Sequence, residues 1–357
     1  MKLQSYTFLL LLALLYSCKP SQESKNTDSN FHSVPLKYAS SFLLFENKQS
    51  YKIDLMNVED KSVIASYTFS KKRSQEYRTA IFSSSVIGYL EVLNQIQSVV
   101  GVEKLNAINN AELLHLKEKG ALKEYIDYSL TNPEKLHKNN VNLVFYSIFT
   151  AQLNPIDQKI NQLNITTIPI SEWKEEHPLG KAEWLKLYGV IFGCYDKAVM
   201  AFDKIEKNYL NVKKEALSNS SNKPKVIANS MFQDVWYLAG GNSYIAKLIA
   251  DAGGDYVLKE DQTVGGKAFT FEQVYTNYKN AAKWINSGEI TKKELIASYE
   301  GYRNLNAFKT GQMYTYTKNA TKYFEEAPVK PDLLLKDLIK IFSSDTPKDL
   351  YFYEKVK

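Results

Sequence analysis

Arginine, histidine and cysteine are all scarce in this chain of 357 residues, and each scarcity removes a class of chemistry. Only three of its 45 basic residues are arginines (Arg73, Arg78, Arg303), so the bidentate readers of phosphate and base edges are nearly absent. The net charge of +6 is spread along the chain, with no basic stripe, which argues against nucleic acid as a partner. Four histidines (His32, His115, His137, His177) are scattered, none with a partner at metal-ligand spacing. HExxH, GxSxG and CxxC do not occur, and Gly265-Gly266-Lys267-Ala268 lacks the first glycine and the Ser/Thr of a phosphate-binding loop. No catalytic constellation, resident metal or cofactor is therefore expected, and the chain does not read as an enzyme. With 44% hydrophobic and 24% charged residues it is neither disordered nor fibrous, and its length suits one large domain or two lobes.

Long apolar runs are also lacking, except at the start. Phe8–Tyr16 (FLLLLALLY) is too short to span a bilayer and suits the core of a signal peptide over residues 1–17. It ends in Leu15-Tyr16-Ser17-Cys18, which resembles a bacterial lipobox. That resemblance implies cleavage before Cys18 and lipidation of its thiol, with two acyl chains giving stable membrane anchoring. Residues 18–36 are polar and poor in hydrophobes, as expected of a tether. Cys194 then has no disulfide partner and is expected to serve as a small buried hydrophobe.

Beyond the tether, strand patterns alternate with helix patterns. Phe42–Phe45 and the alternating Tyr51–Leu55 predict a β-hairpin, with a further strand near Val63–Phe69. Thr79–Phe82 predicts a buried strand opening through Ser83-Ser84-Ser85 into a helix over Ile87–Val99. The alternation continues with a helix near Asn132–Leu136, strand Val141–Tyr146, helix Pro155–Leu163 and strand Ile165–Ile170. From Lys181 to Leu217 there is no proline, and Tyr188, Phe192, Tyr195, Val199, Phe202 and Tyr209 recur at helical spacing. One continuous amphipathic helix of about 35 residues is predicted there. Beyond Ser218–Pro224 the pattern resumes with strand Lys225–Ala228, helix Ser243–Ala252, strand Lys309–Tyr316 and helix Asp332–Phe342. The expected α/β organisation is an N-terminal lobe over 37–180, a bridging helix over 181–217 and a C-terminal lobe over 218–357. Two lobes so joined leave a cleft, where ligand sites tend to lie.

Four stretches resemble the substrate-binding proteins of ABC importers for ferric siderophores, haem and cobalamin. They are Ser83-Ser84-Ser85, Glu172–Trp184 (EWKEEHPLGKAEW), Val235–Tyr244 with Leu248–Gly254 (VWYLAGGNSY, LIADAGG) and Lys330–Ile339 (KPDLLLKDLI). The resemblance covers about residues 37–345, in the family's order. It implies two αβ lobes bridged by a single long α-helix, here with an added N-terminal β-hairpin region. It implies a monomeric, non-enzymatic lipoprotein that captures an iron complex or cobalamin. A permease of the inner membrane with its ATPase would then be the partner, and the periplasm of a Gram-negative-type bacterium the location. It also implies one docking carboxylate per lobe, for which Glu134 (behind Asn132-Pro133) and Glu272 (behind Thr270) stand in matching first-turn settings.

Open αβ sheets bind ligands beyond the C-terminal ends of their strands. That nominates Ser84, Ser85 and Tyr89 after the first strand, and Tyr146, Phe149 and Thr150 after the second. From the C-terminal lobe it nominates Met231, Phe232, Trp236, Tyr237, Tyr316 and Lys318, flat aromatics suiting a partly apolar chelate. Trp184 is excluded as a core residue. Two other readings use the same scaffold: a lipoprotein enzyme, or a glycan-binding surface protein.

Overall fold

The computed structural model describes residues 30–72, 75–219 and 223–357. The signal peptide, Cys18 and most of the tether lie outside them. Ahead of the first lobe, β1 (His32–Val34), β2 (Phe42–Glu46), β3 (Ser50–Met56) and β4 (Val63–Ser70) form an antiparallel sheet in sequence order, in which the expected hairpin and further strand are joined by β1. Asn47 sets the β2–β3 turn, its Oδ1 accepting from the Gln49 and Ser50 N–H groups. Alternation buries Phe42, Leu44, Ile53 and Leu55 on one face, where Phe42 meets Trp184 edge-on at 5.3 Å.

The N-terminal lobe is an all-parallel sheet of β5 (Thr79–Phe82), β6 (Val99–Val102), β7 (Lys123–Glu124), β8 (Leu143–Ser147) and β9 (Thr166–Ile170), in the order β7-β6-β5-β8-β9. Its helices are α1 (Ser85–Val92), α2 (Ala111–Glu118), α3 (Pro133–Lys138) and α4 (Ile156–Asn161). The helix expected over Ile87–Val99 stops at Val92. Asn94 takes a left-handed φ of 54°, and the chain turns into β6, a strand the apolar run concealed.

The bridge consists of α5 (Pro178–Glu183), α6 (Leu185–Ile191) and α7 (Tyr195–Asn219). The expected helix from Lys181 is therefore broken, and its long part is the 25 residues of α7, about 37 Å. Gly193 breaks it, with a φ of 64° that reverses the chain direction between α6 and α7. Along α7, Ala198 and Phe202 enter the N-lobe core, Tyr209 and Val212 the C-lobe core, and Ile205 packs against both. One helix is thus anchored at both ends, which stiffens the connection.

The C-terminal lobe holds β10 (Lys225–Ala228), β13 (Asp255–Tyr256), β15 (Lys283–Ile285), β16 (Met313–Thr315) and β17 (Glu354–Lys355), ordered β13-β10-β15-β16-β17, with only β17 antiparallel. A ribbon of β11 (Met231–Phe232), β12 (Val235–Ala239) and β14 (Gly266–Phe269) stands beside it. The helices are α8 (Tyr244–Asp251), α9 (Phe271–Tyr278), α10 (Lys292–Ser298), α11 (Asn306–Lys309), α12 (Ala320–Glu326) and α13 (Pro331–Ser343). Of these, α12 crosses to the other lobe: the Asn109 N–H donates to Glu325 Oε1 at 2.7 Å, and a Cβ at Gly88 of α1 would lie 2.0 Å from the Glu325 carbonyl oxygen.

Candidate functional site

Glu172–Trp184 supplies the floor of the space between the lobes. It contains three buried glutamates with different fates. Glu183 accepts the backbone N–H groups of Lys37, Tyr38 and Ala39 and pairs with Lys186 at 2.6 Å. Glu175 accepts from the Ser40 and Ser41 N–H groups and from Trp184 Nε1. Both are saturated, and together they clasp the segment leading into β2. Glu172 is not saturated: its Oε1 accepts from Ser85 Oγ at 2.5 Å, but its Oε2 is buried without a partner.

Lys181 stands nine residues further on, in α5. Its Nζ lies 3.8 Å from the centroid of the Tyr244 ring, and among the described residues it has no hydrogen-bond acceptor. Burial lowers its pKa to about 8 against the pull of Glu172 and Glu175. Burial likewise raises that of Glu172, opposed by the Ser85 hydroxyl. Tyr244 is delivered from the C-terminal lobe by the Ser243 cap of α8, whose Oγ accepts from the Ala246 N–H.

These groups line a cavity of about 120 Å³ with Trp173, Tyr323, Phe324, Ala327 and Pro328, so both lobes contribute. Its rim is aromatic. Trp173 pairs with Phe149 at 5.5 Å on one side, and Tyr316 stacks on Tyr323 at 3.9 Å beside Phe324 on the other. Phe149, Trp173 and Phe324 are 73%, 42% and 49% exposed, an apolar surface open at the mouth of the cavity.

The nominated residues divide. Ser85, Phe149 and Tyr316 come to this cavity or its rim. Tyr89 is fully buried with its hydroxyl on the Lys181 carbonyl, and Tyr146 is buried against Tyr128 with its hydroxyl on Asp157. Trp236 is wholly inside the C-lobe core against Trp284 and Tyr302, its Nε1 donating to the Ala228 carbonyl. None of these three offers surface to a ligand, because Tyr89 on α1 and the strand residues Tyr146 and Trp236 all pack inward. Ser84 lines a separate hollow of about 200 Å³ with Ile87, Glu103 and Lys104. Thr150 is exposed on a loop and Lys318 on a short 3₁₀ turn, and Met231, Phe232 and Tyr237 lie on the ribbon. Glu172, Trp173, Lys181, Tyr244, Tyr323 and Phe324 were not nominated. The signal for the first three was available: ionisable and aromatic residues crowded between a strand end and a helix.

Glu134 and Glu272 are exposed at the second positions of α3 and α9, with Asn132 and Thr270 as their caps. Their local settings match across the lobes. Among the described residues no cluster of three His, Cys, Asp or Glu could hold a metal, and no helix is long and apolar enough to cross a membrane.

Known proteins share this arrangement. The chain is similar to two uncharacterized lipoproteins of Methanocaldococcus jannaschii, at 25% identity over 76% of this chain and 24% over 77%. These matches span 66% and 72% of the relatives' own lengths. Its fold is that of a possible iron-binding (periplasmic solute-binding) protein of Staphylococcus epidermidis, with a TM-score of 0.59, 15% identity, 76% of this chain and 100% of that one covered. It is likewise that of a periplasmic haem-binding protein of Pseudomonas aeruginosa, with a TM-score of 0.59, 12% identity and coverages of 78% and 98%. Residues 80–320, both lobes and the helix between them, match the model of the periplasmic binding proteins, and the chain belongs to that family.

Proposed function

We propose that this protein is the substrate-binding lipoprotein of an ABC importer, taking a metal chelate between its lobes and passing it to a membrane permease and its ATPase. The observation that carries the ligand class is the aromatic mouth of Phe149, Trp173, Tyr316 and Phe324 above a polar floor. Flat apolar faces suit a ferric hydroxamate, haem or a corrinoid, each larger than the cavity. The body of such a ligand rests on the rim and one of its arms descends. The solved relatives named above, one described as a possible iron-binding protein and one as haem-binding, support the same class. Glu134 and Glu272 are the docking carboxylates for the permease, exposed charges that give orientation and encounter rate more than affinity. Anchoring through Cys18 holds the protein beside its transporter on the outer side of the cytoplasmic membrane. Lipoprotein relatives in an archaeon leave a Gram-negative host without special support.

Fluorescence tests this directly. Trp184, Trp236 and Trp284 are fully buried, whereas Trp173 lies on the rim, so a chelate seated there quenches Trp173. Titration with haem, cobalamin and ferric hydroxamate, citrate and catecholate complexes should give one saturable quench. Trp173→Phe should remove most of it. A panel with no saturable member rejects the chelate reading.

A further inference from the structure

We propose that the inter-lobe cavity receives an uncharged arm of the ligand that donates and accepts hydrogen bonds at once, a primary carboxamide being the simplest. Its N–H goes to Glu172 Oε2 and its C=O takes a hydrogen bond from Lys181 Nζ. The inference rests on the cavity being the ligand site proposed above. Two unfinished groups carry it. Glu172 is only 4% exposed and leaves Oε2 bare, and Lys181 offers its ammonium to a ring face alone among the described residues.

Burying a polar atom without a partner is unfavourable, and native structures satisfy nearly all such atoms. The same stretch shows that this chain can do so, since Glu175 and Glu183 have donors on every side. Glu172 and Lys181 line one cavity yet no hydrogen bond or ion pair joins them, so they do not complete one another. A group between them must supply both halves. A carboxylate would suit Lys181 and confront Glu172, an ammonium would suit Glu172 and confront Lys181, and an apolar arm would leave both bare. Burial raises the Glu172 pKa, while the Ser85 hydroxyl on Oε1 and the charge of Lys181 oppose that rise and favour the ionised, accepting form. A volume of about 120 Å³ is roughly four waters' worth, room for a short arm and not for a macrocycle.

The test uses three matched fragments, propionamide, propionate and propylammonium, each titrated against the intact protein at pH 7 by saturation-transfer NMR. Propionamide is expected to bind about tenfold tighter than either charged fragment. Lys181→Met should lower that affinity about tenfold. Glu172→Gln places an amide donor beside Lys181 and should reverse the order in favour of propionate, which a merely structural role of Glu172 would not do. Circular dichroism establishes that both variants fold. Propionate bound best by the unaltered protein, no saturable propionamide signal, or an unchanged order in Glu172→Gln would each overturn the inference. A chelate panel that fails while the fragment order holds rejects the importer ligand alone. Chelates that bind while propionate wins reject the carboxamide arm alone.

Discussion

Residues of one type take different roles here according to what surrounds them. Four tryptophans divide into three core members and one at the cavity mouth, and a charged neighbour does not separate them, since rim Trp173 follows Glu172 and core Trp184 follows Glu183. His177 is another such residue. Its Nδ1 caps α5 by accepting from the Leu179 N–H at 3.0 Å, and its ring lies 4.7 Å from that of Tyr38. Burial lowers its pKa to about 4, against an ordinary 6.5. The unfolded chain therefore binds a proton more readily between those values, and the stability this site contributes is complete above pH 6.5 and lost as pH falls toward 4. The cost is about 1–3 kcal/mol after allowing for partial exposure. His177→Asn keeps a capping oxygen without a titrating ring. Urea unfolding at pH 7 and pH 5 should show a smaller loss of stability in this variant than in the parent, and an equal loss would exclude the histidine as the cause.

At the scale of elements, two glycines decide how pieces meet. Gly193 takes the left-handed turn that ends α6 and lets α7 leave in a new direction. Gly193→Ala should cost about 1–2 kcal/mol in chemical denaturation, the strain of a side chain in that region. Gly88 is different, since its role is closeness: a methyl there would strike the Glu325 carbonyl where α12 straps α1. Gly88→Ala should destabilise the protein by about 1–3 kcal/mol and raise hydrogen exchange in α12 more than in α7. The same strap titrates. Burial raises the Glu325 pKa to about 7, so the favourable contribution of its protonated form is full below 4.5 and disappears as pH rises through 7. Exchange from α12 should therefore quicken between about pH 4.5 and 7 beyond its intrinsic rise, and Glu325→Gln should abolish that excess.

The whole molecule is two lobes held by α7 and by the crossing of α12, whose Tyr323 and Phe324 line the cavity between the lobes. A connection anchored in both cores resists bending, so small-angle scattering should show the radius of gyration nearly unchanged when a chelate binds. A change of several ångströms would contradict that stiffness. The proposed docking role of Glu134 and Glu272 belongs to this scale as well, because it needs both residues, one on each lobe. Replacing Glu134 and Glu272 together by lysine should abolish uptake in cells and leave chelate affinity as it was. Lost affinity would mean that they serve the fold.

The chain's periodicities by themselves determined the lobes, the hairpin strands, the long amphipathic stretch and the capped positions of Glu134 and Glu272. Those features follow from local rules, since alternation, helical spacing and caps act over a few residues. Local rules also misread the chain where two elements of like polarity run together, as at Val92–Val99, and where one glycine turns a continuous stripe into two helices. Only the tertiary structure decided which aromatics face the cleft and which glutamates are saturated. Tyr89, Tyr146 and Trp236 are indistinguishable in sequence from rim residues, and the helix or strand face to which each points sends them to the core. The backbone partners of Glu175 and Glu183 come from residues 37–41, more than 130 positions away. Glu172 stays unfinished because no such segment reaches it, and that difference between neighbours in sequence arises only when the chain is packed.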